Sequence, residues 1–235
     1  VAVAKHGNRA VSSSSGSADV LEAIGYPLEE DPALIAARLK RTNFAFFFAP
    51  LYHPAMKHAG PVRRELAVRT VFNILGPLAN PAAAPVQLMG VYARELLGPV
   101  AETLKLLGLK AALVVHSEDG LDEISPLAPT HYVLLHSGKI TAGVYQPPPQ
   151  KYLTSLDALR ADTKEKSLAD FRGVLDGSNT AGVYMTALNA AFARKLFTAA
   201  GSVAPVPDVT PTPDEIVSEF SHIASGALAD FALFP

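Results

Sequence analysis

The apolar positions of this chain recur with two periods, and the switches between them mark out the elements. Residues 1–4 are short, apolar and valine-rich, as in a buried strand. Residues 5–17 are polar and contain glycine, so a loop is expected. Residues 18–25 read as a helix, with Ser17 as N-cap and Gly25 just past the last turn. Asp31 before Pro32 supplies an N-cap and a proline at the first helical position, so the next helix spans residues 32–41. Residues 43–51 contain Phe46, Phe47 and Phe48, too apolar for an exposed strand and suited to the interior of a parallel sheet.

Residues 86–92 predict a strand. Leu96, Leu97, Val100, Ala101, Leu104 and Leu107 fall on one helical face, with Gly108 as terminator. Residues 111–115 predict another buried strand, so this stretch reads strand, helix, strand and favours an α/β fold with a parallel sheet. Residues 130–135 and 139–145 flank His136-Ser137-Gly138 as an antiparallel hairpin. Helices are expected at 167–175 and 180–199, with proline-rich linkers at 146–150 and 202–213. Thr212-Pro213-Asp214-Glu215 has the spacing of a capping box and opens a last helix.

The chain has 235 residues. Surface scaling at this size leaves about 10,000 Å² exposed out of roughly 36,000 Å² unfolded, so a core forms without staples. There is no cysteine, which excludes disulfides, cysteine-ligated zinc and a cysteine nucleophile. Twenty Lys+Arg against 22 Asp+Glu lack the basic excess of a nucleic-acid binder. No apolar run is long enough for a membrane helix, and the start lacks the character of a signal peptide. A cytoplasmic address is therefore expected, without nucleic acid or membrane as partners. The opening Val1-Ala2-Val3-Ala4-Lys5 has no initiator methionine and reads like the inside of a strand. The expectation is a chain that starts within a larger protein.

Three segments carry chemistry. In the first, Lys5-His6-Gly7-Asn8-Arg9 and the serine-rich stretch 12–17 lead from a strand into a helix N-terminus. Free backbone N–H groups, hydroxyls and charge at such a place suit an anion, although a capped serine-rich turn has the same composition. The second holds His53, Met56, Lys57, His58, Arg63 and Arg64, then Asn73 through Pro81. Either arginine can clamp a carboxylate, while an ordinary basic helix surface accounts equally for each residue alone. The third is Asp119-Gly120-Leu121-Asp122-Glu123, after a predicted strand. Its oxygen ligands suit a partly hydrated Mg²⁺ shared with a phosphate, or form a plain acidic turn. In combination the three suggest transfer from a metal-bound polyphosphate to a small anionic partner.

Four motifs in order, covering about residues 1–145, closely resemble the anthranilate phosphoribosyltransferase family. They are Lys5-His6-Gly7-Asn8-Arg9 with residues 16–22, His53-Pro54-Ala55-Met56 with residues 62–66, residues 69–81, and residues 119–123. Asn189-Ala190-Ala191 also resembles the family. The resemblance implies an α/β class III phosphoribosyltransferase (nucleoside phosphorylase/phosphoribosyltransferase-like) fold, a mixed sheet flanked by helices. Residues 1–235 would form a single catalytic domain, divergent after about residue 146, with most of the small N-terminal helical domain missing. The implied reaction moves the phosphoribosyl group of 5-phosphoribosyl-1-pyrophosphate to the amine of anthranilate, in tryptophan biosynthesis.

By the same resemblance His6, Asn8, His53, Met56, Arg63 and Pro77 line the anthranilate path, with Arg63 at its carboxylate. Lys5, Asn8, Ser12, Ser13, Ser15, Gly16 and Ser17 match the phosphoribosyl pyrophosphate cradle, and Asp122 and Glu123 match the Mg²⁺ pair. No catalytic base is assigned, because the weakly basic amine needs positioning more than deprotonation. The family's Gly-Thr-Gly-Gly-Asp loop is not in the sequence, nor are the N-terminal helices of the homodimer interface, and Ser14 stands where many members carry lysine. These departures raise two alternatives, a catalytically impaired fragment and a non-catalytic remnant that binds phosphate ligands. A related nucleoside phosphorylase is disfavoured by the segments around Arg63 and Pro77.

Overall fold

The computed structural model describes residues 1–10, 15–28, 31–56, 58, 65, 70–201 and 208–225. The chain forms two compact units, one from Val1–Ala84 with Asp162–Leu168, the other from Pro85–Ala161 with Ala169–Leu233.

In the first unit, β1 (Val3–Gly7) precedes α1 (Ser17–Ala23), α2 (Pro32–Thr42), β2 (Phe44–Phe48), α3 (Ala49–Tyr52) and α4 (Phe72–Leu78). Helix α2 starts as its sequence requires: the Asp31 carboxylate accepts from the Ala33 N–H at 2.7 Å and Pro32 needs no partner. It stops at Asn43, which adopts a left-handed conformation with φ 59°. The chain then enters β2, whose Ala45, Phe46 and Phe48 are buried with Tyr26, Leu28 and Ile35. The Tyr26 hydroxyl accepts from the Phe46 N–H at 2.9 Å, so this core ties off its own polar atoms.

Strands β1 and β2 pair in parallel, from Val3 opposite Phe44 to Gly7 opposite Phe48. This differs from the expected strand at 1–4 and loop from residue 5. Lys5, His6 and Gly7 are strand because β2 supplies their ladder partners, which local polarity cannot reveal. The valines expected to be buried are not: Val3, at the start of β1, is 50% exposed, and Val1, ahead of that strand, is 60% exposed.

In the second unit, β3 (Val86–Gly90) leads through α5 (Leu97–Leu106) to β4 (Ala111–Ser117), then β5 (Thr130–His136) and β6 (Lys139–Tyr145). The strand order is β3-β4-β5-β6. The β3–β4 pair is parallel, joined by its crossover helix, and the other pairs are antiparallel. The sheet is thus mixed, as the resemblance implies. Residues 111–115 are almost fully buried, which explains their unbroken apolar run. The hairpin turn places Ser137 at φ 48° and Gly138 at φ 75°, the two positive values of a tight I′ connection.

Three helices follow: α6 (Lys164–Leu175), α7 (Thr180–Ala199) and α8 (Pro213–Ala224). Helix α6 starts three residues earlier than its apolar pattern indicates, where the Thr163 hydroxyl accepts from the Lys166 N–H at 3.1 Å. Helix α7 has the bounds its pattern predicts. It packs Tyr184, Leu188, Ala191, Phe192 and Leu196 with Leu113, Val115 and Leu134 of the sheet. Thr212 and Glu215 close the capping box that opens α8. No helix among the described residues is long and apolar enough to cross a membrane.

Candidate functional site

The loop from β1 into α1 is folded tightly, and two glycines make that possible. A Cβ on Gly7 would come within 2.7 Å of the Ser17 hydroxyl oxygen and 3.0 Å of the Phe46 ring. One on Gly16 would meet the Ala10 nitrogen at 2.6 Å and the Asn8 carbonyl oxygen at 2.8 Å. Gly16, not Ser17, is the residue before the first helical turn. Asp19 reaches back and accepts from the Gly16 and Ala10 N–H groups, each at 2.8 Å. Those bonds hold its carboxyl below the usual range, the Ala10 bond most strongly. The Ala18 N–H donates to the Asn8 carbonyl at 3.3 Å.

The expected cradle of free backbone N–H groups is therefore corrected at these positions: Ala10, Gly16 and Ala18 all bond within the loop. Lys5 is exposed on β1 and Asn8 on the loop, where the Asn8 Oδ1 accepts from the Arg9 N–H. Arg9 lies 2.8 Å from Glu22 and stacks over Phe48 at 4.8 Å. Ser15, Gly16 and Ser17 lie at the helix entrance, while Ser12, Ser13 and Ser14 are outside the described residues.

The second cluster gathers segments far apart in the chain. The His6 Nδ1–H donates to the Gly76 carbonyl at 2.9 Å, across 70 residues. Asn80 donates to the Ala4 carbonyl at 3.0 Å, which docks the end of α4 on β1. The His6 and His53 rings meet edge to face with centroids 5.0 Å apart, and the buried Nε2 of each has no hydrogen-bond partner among the described residues. A carbonyl only accepts, so the His6 proton is on Nδ1 and its Nε2 offers a lone pair when the ring is neutral. Burial pushes the His6 pKa below 6.5; the Gly76 bond opposes this and the nearby His53 adds to it. Met56 closes a turn on the His53 carbonyl, and Pro77 follows the Gly76 that His6 binds. Arg63 and Arg64 lie outside the described residues.

The third segment leaves β4 in the other unit. Asp119 is used internally: its carboxylate accepts from the Ser125 hydroxyl at 2.5 Å and from the Leu121 N–H at 3.4 Å. Asp122 and Glu123 are exposed, followed by buried Ile124 and Ser125. Among the described residues no group of three or more His, Cys, Asp or Glu could enclose a metal. Two adjacent exposed carboxylates fit Mg²⁺, which keeps waters and takes remaining ligands from phosphate oxygens.

Reading the motifs alone missed three supports of these segments: Asp19, Gly90 and the contacts of Asn189. Asp19 had a local signal, since an acid three residues after Gly16 has capping-box spacing. The other two act across the fold and leave no such signal.

Comparison with known proteins is consistent along most of the chain. Residues 1–206 match the model of the glycosyl transferase family, a/b domain. An anthranilate phosphoribosyltransferase from Lactiplantibacillus plantarum is 49% identical over 195 residues, which are 82% of this chain and 57% of that protein. One from Thermomicrobium roseum is 47% identical over 208 residues, 87% of this chain and 60% of that protein. The chain thus spans little more than half the length of these curated relatives. The crystal structure of the Thermus thermophilus anthranilate phosphoribosyltransferase superposes with a TM-score of 0.76 at 40% identity, over 99% of this chain and 67% of that one. The Saccharomyces cerevisiae enzyme in complex with PRPP (phosphoribosyl pyrophosphate) and Mg shares the fold, with a TM-score of 0.75 at 24% identity, over 99% of this chain and 63% of that one. The fold is the one the motifs implied, and the chain belongs to the glycosyl transferase family, as its a/b domain.

Proposed function

We propose that the protein carrying this chain transfers the phosphoribosyl group of 5-phosphoribosyl-1-pyrophosphate to the amine of anthranilate, with release of pyrophosphate. The observation that carries the reading is the convergence of His6, His53 and Gly76-Pro77, three segments of the matched motifs, on one pair of buried ring nitrogens with no hydrogen-bond partner among the described residues. The relatives named anthranilate phosphoribosyltransferase support it, as does the yeast structure that holds PRPP and Mg.

In this reading the neutral His6 Nε2 accepts a hydrogen bond from the anthranilate amine and orients its lone pair toward the sugar carbon. His53 and Met56 line the same path with Asn8 and Pro77, and Arg63 takes the carboxylate. Lys5 and the hydroxyls of Ser12, Ser13, Ser15 and Ser17 hold phosphate oxygens, and Gly16 lets the chain pass close beneath them. Asp122 and Glu123 hold Mg²⁺, which when bound offsets the charge of the departing pyrophosphate. The carbon–oxygen bond to pyrophosphate breaks as positive charge grows on the sugar, the amine nitrogen forms the new bond, and the proton that this nitrogen then sheds leaves with pyrophosphate or solvent. Positioning supplies much of the rate, since the weak base needs no prior deprotonation. A homodimer and a cytoplasmic address belong to the same reading.

Loss of anthranilate fluorescence with phosphoribosyl pyrophosphate and Mg²⁺ tests it, beside a control carrying both Asp122→Asn and Glu123→Gln. Metal-dependent loss that the control abolishes is expected. A folded, full-length protein that leaves anthranilate unchanged would refute the reading.

A further inference from the structure

The acid pair is on a loop that leaves β4 at Ser117 and re-enters the sheet at Thr130. Its flanks are stitched locally. The Ser117 N–H donates to the Leu121 carbonyl and the Glu118 N–H to the Pro129 carbonyl, both at 2.9 Å. The Ser125 N–H donates to the Thr130 hydroxyl at 3.0 Å. The two ends of the acid pair itself are held from outside the loop.

On one side the Asp122 carbonyl lies against β3. A Cβ on Gly90 would stand 1.6 Å from that oxygen, so only glycine admits the loop in this position. On the other side a single amide takes both backbone groups of Ile124, the residue after Glu123. The Asn189 Oδ1 accepts from the Ile124 N–H at 3.0 Å, and its Nδ2 donates to the Ile124 carbonyl at 3.1 Å. Nδ2 also donates to the Met185 carbonyl at 3.0 Å, one turn back on α7. One oxygen facing an N–H, with the nitrogen facing two carbonyls, leaves one sensible orientation of the amide. Its neighbours Leu188, Ala191 and Phe192 are buried in the core, so the amide stands on a fixed support.

We propose that Asn189 is a positioning residue for Asp122 and Glu123, setting both carboxylates for a divalent cation shared with phosphate oxygens. The inference rests on the metal-binding reading above. The chemistry requires this side chain. Ile124 is buried and offers one donor and one acceptor. Aspartate would meet only the donor, leucine would meet neither, and glutamine is longer by one methylene. Loss of the clamp leaves two buried backbone groups unpaired, and the loop must shift to find water. The residue that moves with Ile124 is Glu123, with Asp122 behind it.

The test uses the full-length protein. Mn²⁺ serves as the probe, and free Mn²⁺ is read by electron paramagnetic resonance with phosphoribosyl pyrophosphate present. Asn189→Leu should raise the Mn²⁺ dissociation constant about tenfold, the lower end for a group that orients a metal ligand. Asn189→Asp, which retains the Ile124 N–H bond, should fall between it and the parent and serves if the leucine variant does not fold. Hydrogen exchange should quicken at residues 118–128 and stay unchanged in β5.

A purely structural role predicts a lower melting temperature with unchanged Mn²⁺ affinity, and that result overturns the proposal. A protein with Asp122→Asn and Glu123→Gln that binds Mn²⁺ as the parent does would remove the metal-binding reading, and the proposal with it. Lost binding in that control with normal binding in both Asn189 variants overturns the positioning role alone.

Discussion

His6 and His53 stand edge to face at 5.0 Å, and the Gly76 carbonyl decides which nitrogen of His6 carries the proton. Burial disfavours the charged ring, so the folded protein resists protonation of His6 more than the unfolded chain does. The unfolded chain then binds more protons once the pH drops below about 6.5, and stability falls with it. The contribution is fully present above that value. His6→Asn places an amide nitrogen near the Nδ1 position without a titrating group. Between about pH 7.5 and about pH 5.5 the parent should lose more melting temperature than this variant. Equal losses in both would show that His6 does not titrate as described.

The same variant separates binding from chemistry. Asparagine at position 6 retains a donor toward Gly76 and removes the Nε2 lone pair. The KM for anthranilate should rise about tenfold or more, as for a lost hydrogen bond of roughly 1.4 kcal/mol, while the KM for phosphoribosyl pyrophosphate stays within about twofold. Steady-state kinetics with each substrate varied in turn would check this. A rise confined to phosphoribosyl pyrophosphate would place His6 elsewhere in the site.

Asp19 closes the loop that precedes α1. Asp19→Ala removes the acceptor of two backbone N–H groups and should cost about 1 kcal/mol, the usual loss for a helix cap. Its low pKa makes this stability present above the unfolded carboxyl value and lost as the pH falls through the folded one. Urea midpoints of parent and variant should therefore converge in acid. A difference that persists there would point to packing instead of the carboxylate.

Gly90→Ala drives a methyl group into the Asp122 carbonyl. The expected cost is about 1–3 kcal/mol, with metal-dependent activity lost more steeply than stability. Urea unfolding and Mg²⁺ titration of activity would separate the two. A variant with parental Mg²⁺ dependence would mean that the loop accommodates the methyl without moving its acids.

Tyr145 offers a prediction of opposite sign. Its ring meets Phe192 edge to face, its buried hydroxyl has no hydrogen-bond partner among the described residues, and burial pushes its pKa far up. Tyr145→Phe removes a polar atom that gains nothing from folding, so it should leave stability unchanged or raise it by up to about 1 kcal/mol. Thermal unfolding would decide, and a clear loss would reveal a partner for that hydroxyl.

Much of the local structure was legible because its causes are local. Asp31-Pro32 opens α2, Thr212 and Glu215 box the start of α8, and Gly108 ends the helical stretch before β4. Ser137 and Gly138 adopt the positive φ values that turn β5 into β6. In each case a side chain or a backbone preference acts within four residues, inside the span that periodicity and caps can report. The site residues were legible as types for a similar reason: charge, hydroxyls and paired acids are written in composition.

What tertiary structure decided is where those types are held. Lys5 to Gly7 became strand because Phe46 to Phe48 lie beside them. His6 gained a fixed tautomer from Gly76, 70 residues away, and the acid loop gained its clamp from Asn189, 65 residues from Ile124. Composition alone does not separate Asp119 from Asp122; in the fold Asp119 accepts from the Ser125 hydroxyl. The sequence by itself determined the alphabet of helices, strands, caps and reactive groups, since each depends on nearest neighbours along the chain. Only the folded chain decided which acids face solvent, which ring nitrogen accepts and which glycine must stay bare, because those depend on neighbours in space that close packing brings together.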